Sequence, residues 1–462
     1  MQISMRDVSD ELIRRFDVPG PRYTSYPTAD RFVEAFGPVE YEQALRERRD
    51  RAAPAPLSVY VHLPFCESLC YYGACNKIVT RHHDHAATYL QFLKREIEGV
   101  TASLGRVQKV SQLHLGGGTP TFLTDAELAE LMAMLRAAFN FSADAECSVE
   151  VDPRGVPRTR MAHLASLGFN RVSFGVQDFD VGVQQAVHRE QPQERVFDLV
   201  AAAREQGMQS INVDMIYGLP RQTLESFERT LATLEALRPD RIALYGYAHL
   251  PERFKPQRRI DSLELPTGAT RLALMHRAHE ALTDAGYEYI GMDHFALPDD
   301  ELSISKRRGC LHRNFQGYTT QPDCDLIALG ISAIGRVGPS YVQNVKTLNE
   351  YYDLLRQGRL PVSRGLAMTR DDVLRRCVIM ALMTQGRVDF ESVEEAFLIN
   401  FASYFEREIN ALHEMSEHGV VSVSSRAIDV TPLGWFVVRG IAMQFDRYLQ
   451  ADLNRQRFSR VI

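Results

Sequence analysis

At 462 residues the chain exceeds one simple core and predicts about three domain-sized units. Its 45% hydrophobic and 24% charged residues are those of a folded chain, which excludes a mainly disordered one. A formal net charge of -6 argues against the broad basic face that nucleic-acid binding needs.

The first stretch, MQISMRDVSDELIRRFDV, mixes acids with bases and predicts neither a signal peptide nor a membrane span. Nowhere do ~18 apolar residues run together, so the expected setting is the cytoplasm. In that reducing compartment seven cysteines do not read as a disulfide framework, and a cluster of them reads as metal-binding. Residues 1–50 read as an N-terminal arm: Ser9 to Phe16 has a helical pattern, and Pro21 and Pro27 prevent its continuation. Tyr23, Thr24, Ser25 and Tyr26 suit a strap, with Arg22 beside them as either an anion contact or an ordinary surface arginine.

From Ser58 the chain alternates short apolar runs with helical patterns. The runs are Ser58 to Pro64, Val110 to Gly118, Cys147 to Asp152, Arg171 to Gln177, Ile211 to Pro220 and Arg241 to Ala248. Between them lie amphipathic segments such as Asp125 to Phe139 and Leu224 to Leu237; Thr124 with Glu127 forms a capping box, and Gly168 and Gly207 mark helix ends. Six β/α units in succession predict an α/β fold with a parallel sheet, either doubly wound or an incomplete barrel. Further on come a helix over Gly268 to Ala285, one more strand in YEYIGMDHFALPDDEL, and a glycine-rich loop region over Gln316 to Gly338. From residue 366 to 462 the pattern is mainly helical, with a β-like pair (VVSVSS, AIDVT) that gives it a winged-helix-like order. The domains read as 1–50, 51–365 and 366–462.

The most chemically committed stretch is VHLPFCESLCYYGACNK, Val61 to Lys77. Cys66, Cys70 and Cys75 come closely after the first strand and can converge on one metal centre; buried thiols packing as small hydrophobes are the competing reading. His62, His82, His83 and His85 lie near them, where a ligand role competes with the commoner surface histidine. Polar residues recur at successive strand ends, which packing alone does not explain: Gly116 to Thr119, Glu150, Asp152, Gln177, Asp178 and Asp214. The GGGTP run lets backbone amides approach an anionic group, against the plainer reading of a tight turn. No Walker-type lysine comes after it.

Taken together, PRYTSYPTA, YVHLPFC, CNKIVTR, LHLGGGTPT, VEVDPR, GVQDF, DMIYGLP, GMDHFA, HRNFQGYTT and the terminal FSRVI resemble the oxygen-independent coproporphyrinogen III oxidases of the radical S-adenosylmethionine (SAM) superfamily, over essentially the whole chain. The resemblance implies an incomplete (β/α)6 barrel of radical SAM type, capped by the helical C-terminal domain, and a four-iron four-sulfur cluster. It implies two bound SAM molecules contacted by Tyr60, Tyr72, Gly117, Gly118, Thr119, Glu150, Gln177, Arg189, Asp214, Ala248 and Ile334. The implied chemistry is anaerobic haem biosynthesis, the conversion of two propionates of coproporphyrinogen III to vinyl groups, giving protoporphyrinogen IX. In it an electron from the reduced cluster splits SAM, and the resulting 5'-deoxyadenosyl radical takes a propionate hydrogen. An unidentified electron donor is implied, with neither nucleic acid nor membrane as partner, and a monomer is the expected state. A tetracarboxylate substrate asks for cations on an apolar pocket, with Arg22 and Arg313 as candidates against a plain structural role.

The family motif is CxxxCxxC, usually with a further cysteine two positions on. Cys66 and Cys70 match the first two ligands and Cys75 matches the further cysteine, but Gly73 stands at the third ligand position. Three readings compete: a chain that has lost its cluster, a chain in which Cys75 is the third metal ligand, and a haem or porphyrin carrier without radical chemistry. A nucleic-acid-modifying radical enzyme is a further reading, opposed by the acidic charge.

Overall fold

The computed structural model describes residues 15–451 apart from 17, 106 and 107. The candidate helix over Ser9 to Phe16 lies largely outside them, as does FSRVI. Two compact units are present, each drawn from separated stretches of the chain.

The larger unit comprises Phe32–Leu274 and Cys324–Ala367. It begins with helix α1 (Pro38–Arg49), and then come the strands β1 (Leu57–Leu63), β2 (Lys109–Gly117), β3 (Asn140–Val151), β4 (Arg171–Gln177), β5 (Ser210–Tyr217) and β6 (Arg241–Gly246). Between them run α2 (Asp84–Leu104), α3 (Asp125–Ala138), α4 (Thr159–Ser166), α5 (Gln193–Glu205) and α6 (Leu224–Leu237). Each helix turns an apolar stripe to the sheet. Leu128, Leu131, Met132 and Leu135 of α3 are buried on a three-to-four residue spacing, and Thr124 closes its first turn by accepting from the Glu127 amide while Glu127 accepts from the Thr124 amide. The strands pair parallel in the order β1 to β6, as six β/α units require.

Sequence reading of 316–338 as a glycine-rich loop region needs correction. It holds Gly317–Thr319 and two sheet strands, β7 (Asp325–Leu329) and β8 (Ile334–Val337). Strand β7 is DLIAL, buried along its whole length, and it pairs parallel with the open flank of β1, from Leu57 opposite Asp325 to Val61 opposite Leu329. Five residues between turn signals carry too little period to stand out, and here burial on both faces removes the alternation altogether. Beyond β7 the sheet becomes antiparallel through β8, β9 (Ser340–Asn344) and β10 (Val362–Ala367).

Among the described residues, the smaller unit takes those within 15–31, 275–323 and 368–451. Residues 275–323 share a hydrophobic core with the C-terminal helices: Ile290, Met292, Leu311 and Tyr318 pack among Leu374, Leu382, Phe401, Ile441 and Phe445. Burial of apolar side chains decides such membership, and neighbours along the chain do not. The stretch expected as one strand is an antiparallel pair, Glu288–Gly291 with His294–Ala296. The C-terminal hairpin Val421–Val423 and Ala427–Val430 gains a third strand, Arg387–Asp389.

Candidate active site

Parallel pairing brings the carboxyl ends of β1 to β5 to one rim, and register sets which side chains meet there. Leu63 lies opposite Gly117, so the loop leaving β1 runs against the glycine run after β2. The Gly118 amide donates to the Leu63 carbonyl at 2.8 Å and the Thr119 amide to the Phe65 carbonyl at 2.8 Å. A Cβ on Gly118 would stand 2.5 Å from the Pro64 carbonyl oxygen, so only glycine allows this approach. Cys66 is thereby fixed beside Thr119, with 3.3 Å between Sγ and Oγ1.

An open cavity of about 440 Å³ occupies the rim. Of the candidate residues, Tyr72, Gly118, Thr119, Glu150, Gln177, Arg189 and Asp214 line it. Tyr60 and Gly117 stand behind it. The Tyr60 ring stacks on His114 with centroids 5.9 Å apart, His114 Nε2 lies 3.2 Å from Glu150 Oε1, and the Gly117 amide donates to Glu150 Oε2 at 3.2 Å. Ala248 and Ile334 are not among the lining residues; Ala248 lies beyond β6 and its carbonyl accepts from Gln257, while Ile334 begins β8.

The acids of the rim differ in charge state. Burial raises the Glu150 carboxyl, but the hydrogen bond and charge of His114 and the Gly117 amide outweigh it and hold the group below its usual range. Asp214 is pushed up to about 6 by burial and then by the charge of Glu150, against hydrogen bonds from Asn212 and Ser173. One carboxylate is thus firmly ionised and its neighbour titrates close to neutrality.

Arg189 ties the cavity to the cysteine loop. Its Nη1 donates to Asp152 at 2.9 Å and to Cys70 Sγ at 3.4 Å, and its Nη2 to the Gly175 carbonyl at 2.5 Å. Arg154, whose role no motif spacing signals, donates to the same two groups, at 2.7 Å to Asp152 and 3.4 Å to Cys70 Sγ. Its position two residues beyond Asp152, within VEVDPR, is the one clue the sequence offers. Burial pushes the Cys70 thiol up, and the charges of Arg189 and Arg154 overcome it to leave the thiol below its usual value. Burial pushes the Cys66 thiol up to about 11, and the Thr119 hydrogen bond and the charge of Lys77 offset only part of this.

Cys66 and Cys70 are buried; Cys75 is exposed. At Gly73 a Cβ would overlap the Nζ of Lys77, which donates to the Cys70 carbonyl at 3.3 Å. Among the described residues no three His, Cys, Asp or Glu are grouped to hold a metal ion. The nearby histidines are engaged elsewhere: His62 Nε2 lies 2.9 Å from the Asn76 carbonyl, and His83 stacks on Phe122 at 4.6 Å.

A parallel β/α sheet with a cysteine loop after its first strand and a glycine run after its second defines a protein of the radical SAM superfamily, and the model of that superfamily matches residues 60–234. The HemN C-terminal domain model matches residues 368–437. Oxygen-independent coproporphyrinogen III oxidase from Pseudomonas aeruginosa is 51% identical over 98% of each chain, and the one from Escherichia coli K12 is 47% identical over 100% of each. The solved structure of the Escherichia coli coproporphyrinogen III oxidase, a radical SAM enzyme, superposes with a TM-score of 0.92 at 46% identity, covering 97% of this chain and 100% of that one. The chain therefore belongs to the family of oxygen-independent coproporphyrinogen III oxidases, radical SAM oxidoreductases of haem biosynthesis. Membership implies a [4Fe-4S] cluster and SAM. The polar rim, with its ionised carboxylate and buried guanidinium, fits SAM. The sulfur set fits the cluster at two corners, Cys66 and Cys70; at the third, glycine offers no ligand and an ammonium fills the space.

Proposed function

We propose that this chain turns two propionate side chains of coproporphyrinogen III into vinyl groups, with two SAM molecules bound at the rim. Each conversion removes one hydrogen atom and one electron from a propionate and releases carbon dioxide. The observation that carries the reading is the meeting of Thr119, Glu150, Gln177 and Asp214, from four strand ends, with Arg189 of the connection after β4 on one cavity adjoining Cys70.

In this reading Glu150 stays ionised to receive the SAM ammonium, and Asp214 receives hydroxyl donors. Gln177, held in left-handed backbone at φ 73°, supplies an amide, and Arg189 keeps the cysteine loop against the cavity. Tyr60 and Gly117 orient Glu150, the first through His114 and the second through its amide. Ala248 and Ile334 act from outside the cavity lining, Ile334 toward the second SAM molecule. The metal ligands are Cys66, Cys70 and Cys75; Cys75 reaches the third corner only after Lys77 leaves it. The protein works as a monomer in the cytoplasm with an external one-electron donor and without nucleic acid. Among the described residues no helix is long and apolar enough to cross a membrane.

Anaerobic reconstitution with iron and sulfide analysis, electron paramagnetic resonance with and without SAM, and turnover of coproporphyrinogen III tests this. A SAM-perturbed cluster signal that disappears in Cys75→Ala is expected, together with protoporphyrinogen IX formation. A wild-type chain that holds no iron, or holds it equally well without Cys75, removes the ligand assignment.

A further inference from the structure

Three stretches far apart in the sequence meet in the smaller unit around a set of arginines. Arg22 Nη2 lies 3.4 Å from Asp293 Oδ2. Arg313 Nη2 donates to the Arg22 carbonyl at 3.4 Å. Arg439 Nε donates to the Pro21 carbonyl at 3.1 Å, and its Nη2 to the Gly20 carbonyl. Two of the three guanidiniums thus grip the backbone that presents the third. Arg439 and Arg313 are 3% and 5% exposed, whereas the Arg22 side chain is 33% exposed.

Gathering like charges is costly in a buried setting. Burial and then the Arg22 charge pull Arg439 down to about 10, with Arg313 acting the same way and Asp293 opposing. Asp293 itself stands on a strained turn, where Gly291, Met292 and Asp293 have φ of 133°, 42° and 69° in succession. Two consecutive non-glycine residues in left-handed backbone persist only where the surroundings over-determine them, and such strain gathers at ligand sites. Beside the arginines lies an aromatic wall. The Arg313 guanidinium stacks on Tyr318 at 4.7 Å, and His294 meets the same ring edge-on at 5.4 Å. The Tyr318 hydroxyl is fixed by donating to the Met383 carbonyl at 2.8 Å.

We propose that this corner recognises a carboxylate of a polycarboxylate macrocycle: Arg22 exchanges Asp293 for a propionate of the ligand, Arg313 and Arg439 are positioning residues for it, and buried Tyr318 braces Arg313. The proposal rests on coproporphyrinogen III as the substrate. The anion contact falls to one partly exposed guanidinium on a braced strap. A planar fork that can bind a carboxylate through two parallel donors suits the task, and lysine would not replace it fully.

Binding is measured without cluster, SAM or turnover, by fluorescence titration of coproporphyrin III, the oxidised and unreactive tetracarboxylate, and of its tetramethyl ester. Arg22→Gln should weaken coproporphyrin III about tenfold and leave the ester unchanged, with Arg22→Lys between them. Arg439→Lys should move the same affinity in the same direction, and the melting temperature of each variant shows that the fold is retained. Equal affinity of Arg22→Gln and wild type for coproporphyrin III, equal losses for acid and ester, or no binding by wild type overturns the proposal. Intact arginine-dependent binding in a chain that never turns over would count against the catalytic reading alone.

Discussion

The Nζ of Lys77 lies in the space that a side chain at Gly73 would enter, and it donates to the Cys70 carbonyl at 3.3 Å. The obstructing atom is the free end of a four-carbon chain, so a larger residue at 73 displaces it without moving backbone. Gly73→Cys should therefore fold as the wild type does, with an unchanged urea midpoint. It should also raise resistance of bound iron to a chelator by about tenfold, because a third buried thiolate becomes available. A variant with a normal midpoint and no gain in iron would show that the loop is limited elsewhere.

Gly118 is the opposite case. A Cβ there meets the Pro64 carbonyl oxygen and carbon at 2.5 and 2.6 Å and the Phe65 carbonyl at 2.8 Å, all of them backbone. Gly118→Ala should cost about 1–3 kcal/mol in chemical denaturation and shift Cys66, since the same backbone carries it. Weaker SAM binding should accompany the loss; undiminished stability would mean that the two loops have room to separate.

Removing Arg189 unpairs more than one group. Asp152 would keep only Arg154, and the Gly175 carbonyl would lose a buried donor. Arg189→Met should destabilise the protein by about 3 kcal/mol and loosen the cysteine loop, measured by denaturation and by the rate of Cys70 alkylation. Arg189→Lys, which keeps the charge and loses the fork, should recover only part of this.

A pH effect is expected from Glu96. This buried carboxyl accepts from the Gly330 amide at 2.7 Å, Asn344 Nδ2 at 2.6 Å and the Tyr351 hydroxyl at 2.5 Å, yet burial raises it to about 7. The folded state therefore holds a proton that the unfolded state releases between the ordinary carboxylate range and about pH 7. Stability from this group is full below that window and falls as pH rises through it, by about 3 kcal/mol at most. Glu96→Gln should flatten the slope of unfolding free energy against pH over that range, leaving the smaller slope of the same sign that Asp214 contributes.

Most of the barrel is legible in the sequence because β/α alternation repeats and because helix caps such as Thr124 with Glu127 are local signals. The rim acids are legible as polar residues at strand ends, where packing gives no reason for them. What escapes depends on distance in the chain. Strand β7 offers five buried residues without alternation and finds its place only through β1. Arg154 and His114 take their roles from a thiol and a carboxylate on other segments, and no spacing announces that. Nor does the sequence show that Lys77, four residues beyond Gly73, fills the gap there, since a flexible side chain has many directions available.

The seventh parallel strand also sets a timetable. Arg48 waits for Asp325, 277 positions downstream, to complete a buried ion pair at 2.5 Å, and β1 waits for the same segment to cover its second edge. At ribosomal speeds of roughly 5–20 residues per second the strand leading into the cysteine loop stays open on one flank for roughly 15 to 55 seconds. A nascent chain in that interval exposes an apolar strand edge and two thiols together, so pairing with another chain and thiol oxidation both compete with the arrival of β7.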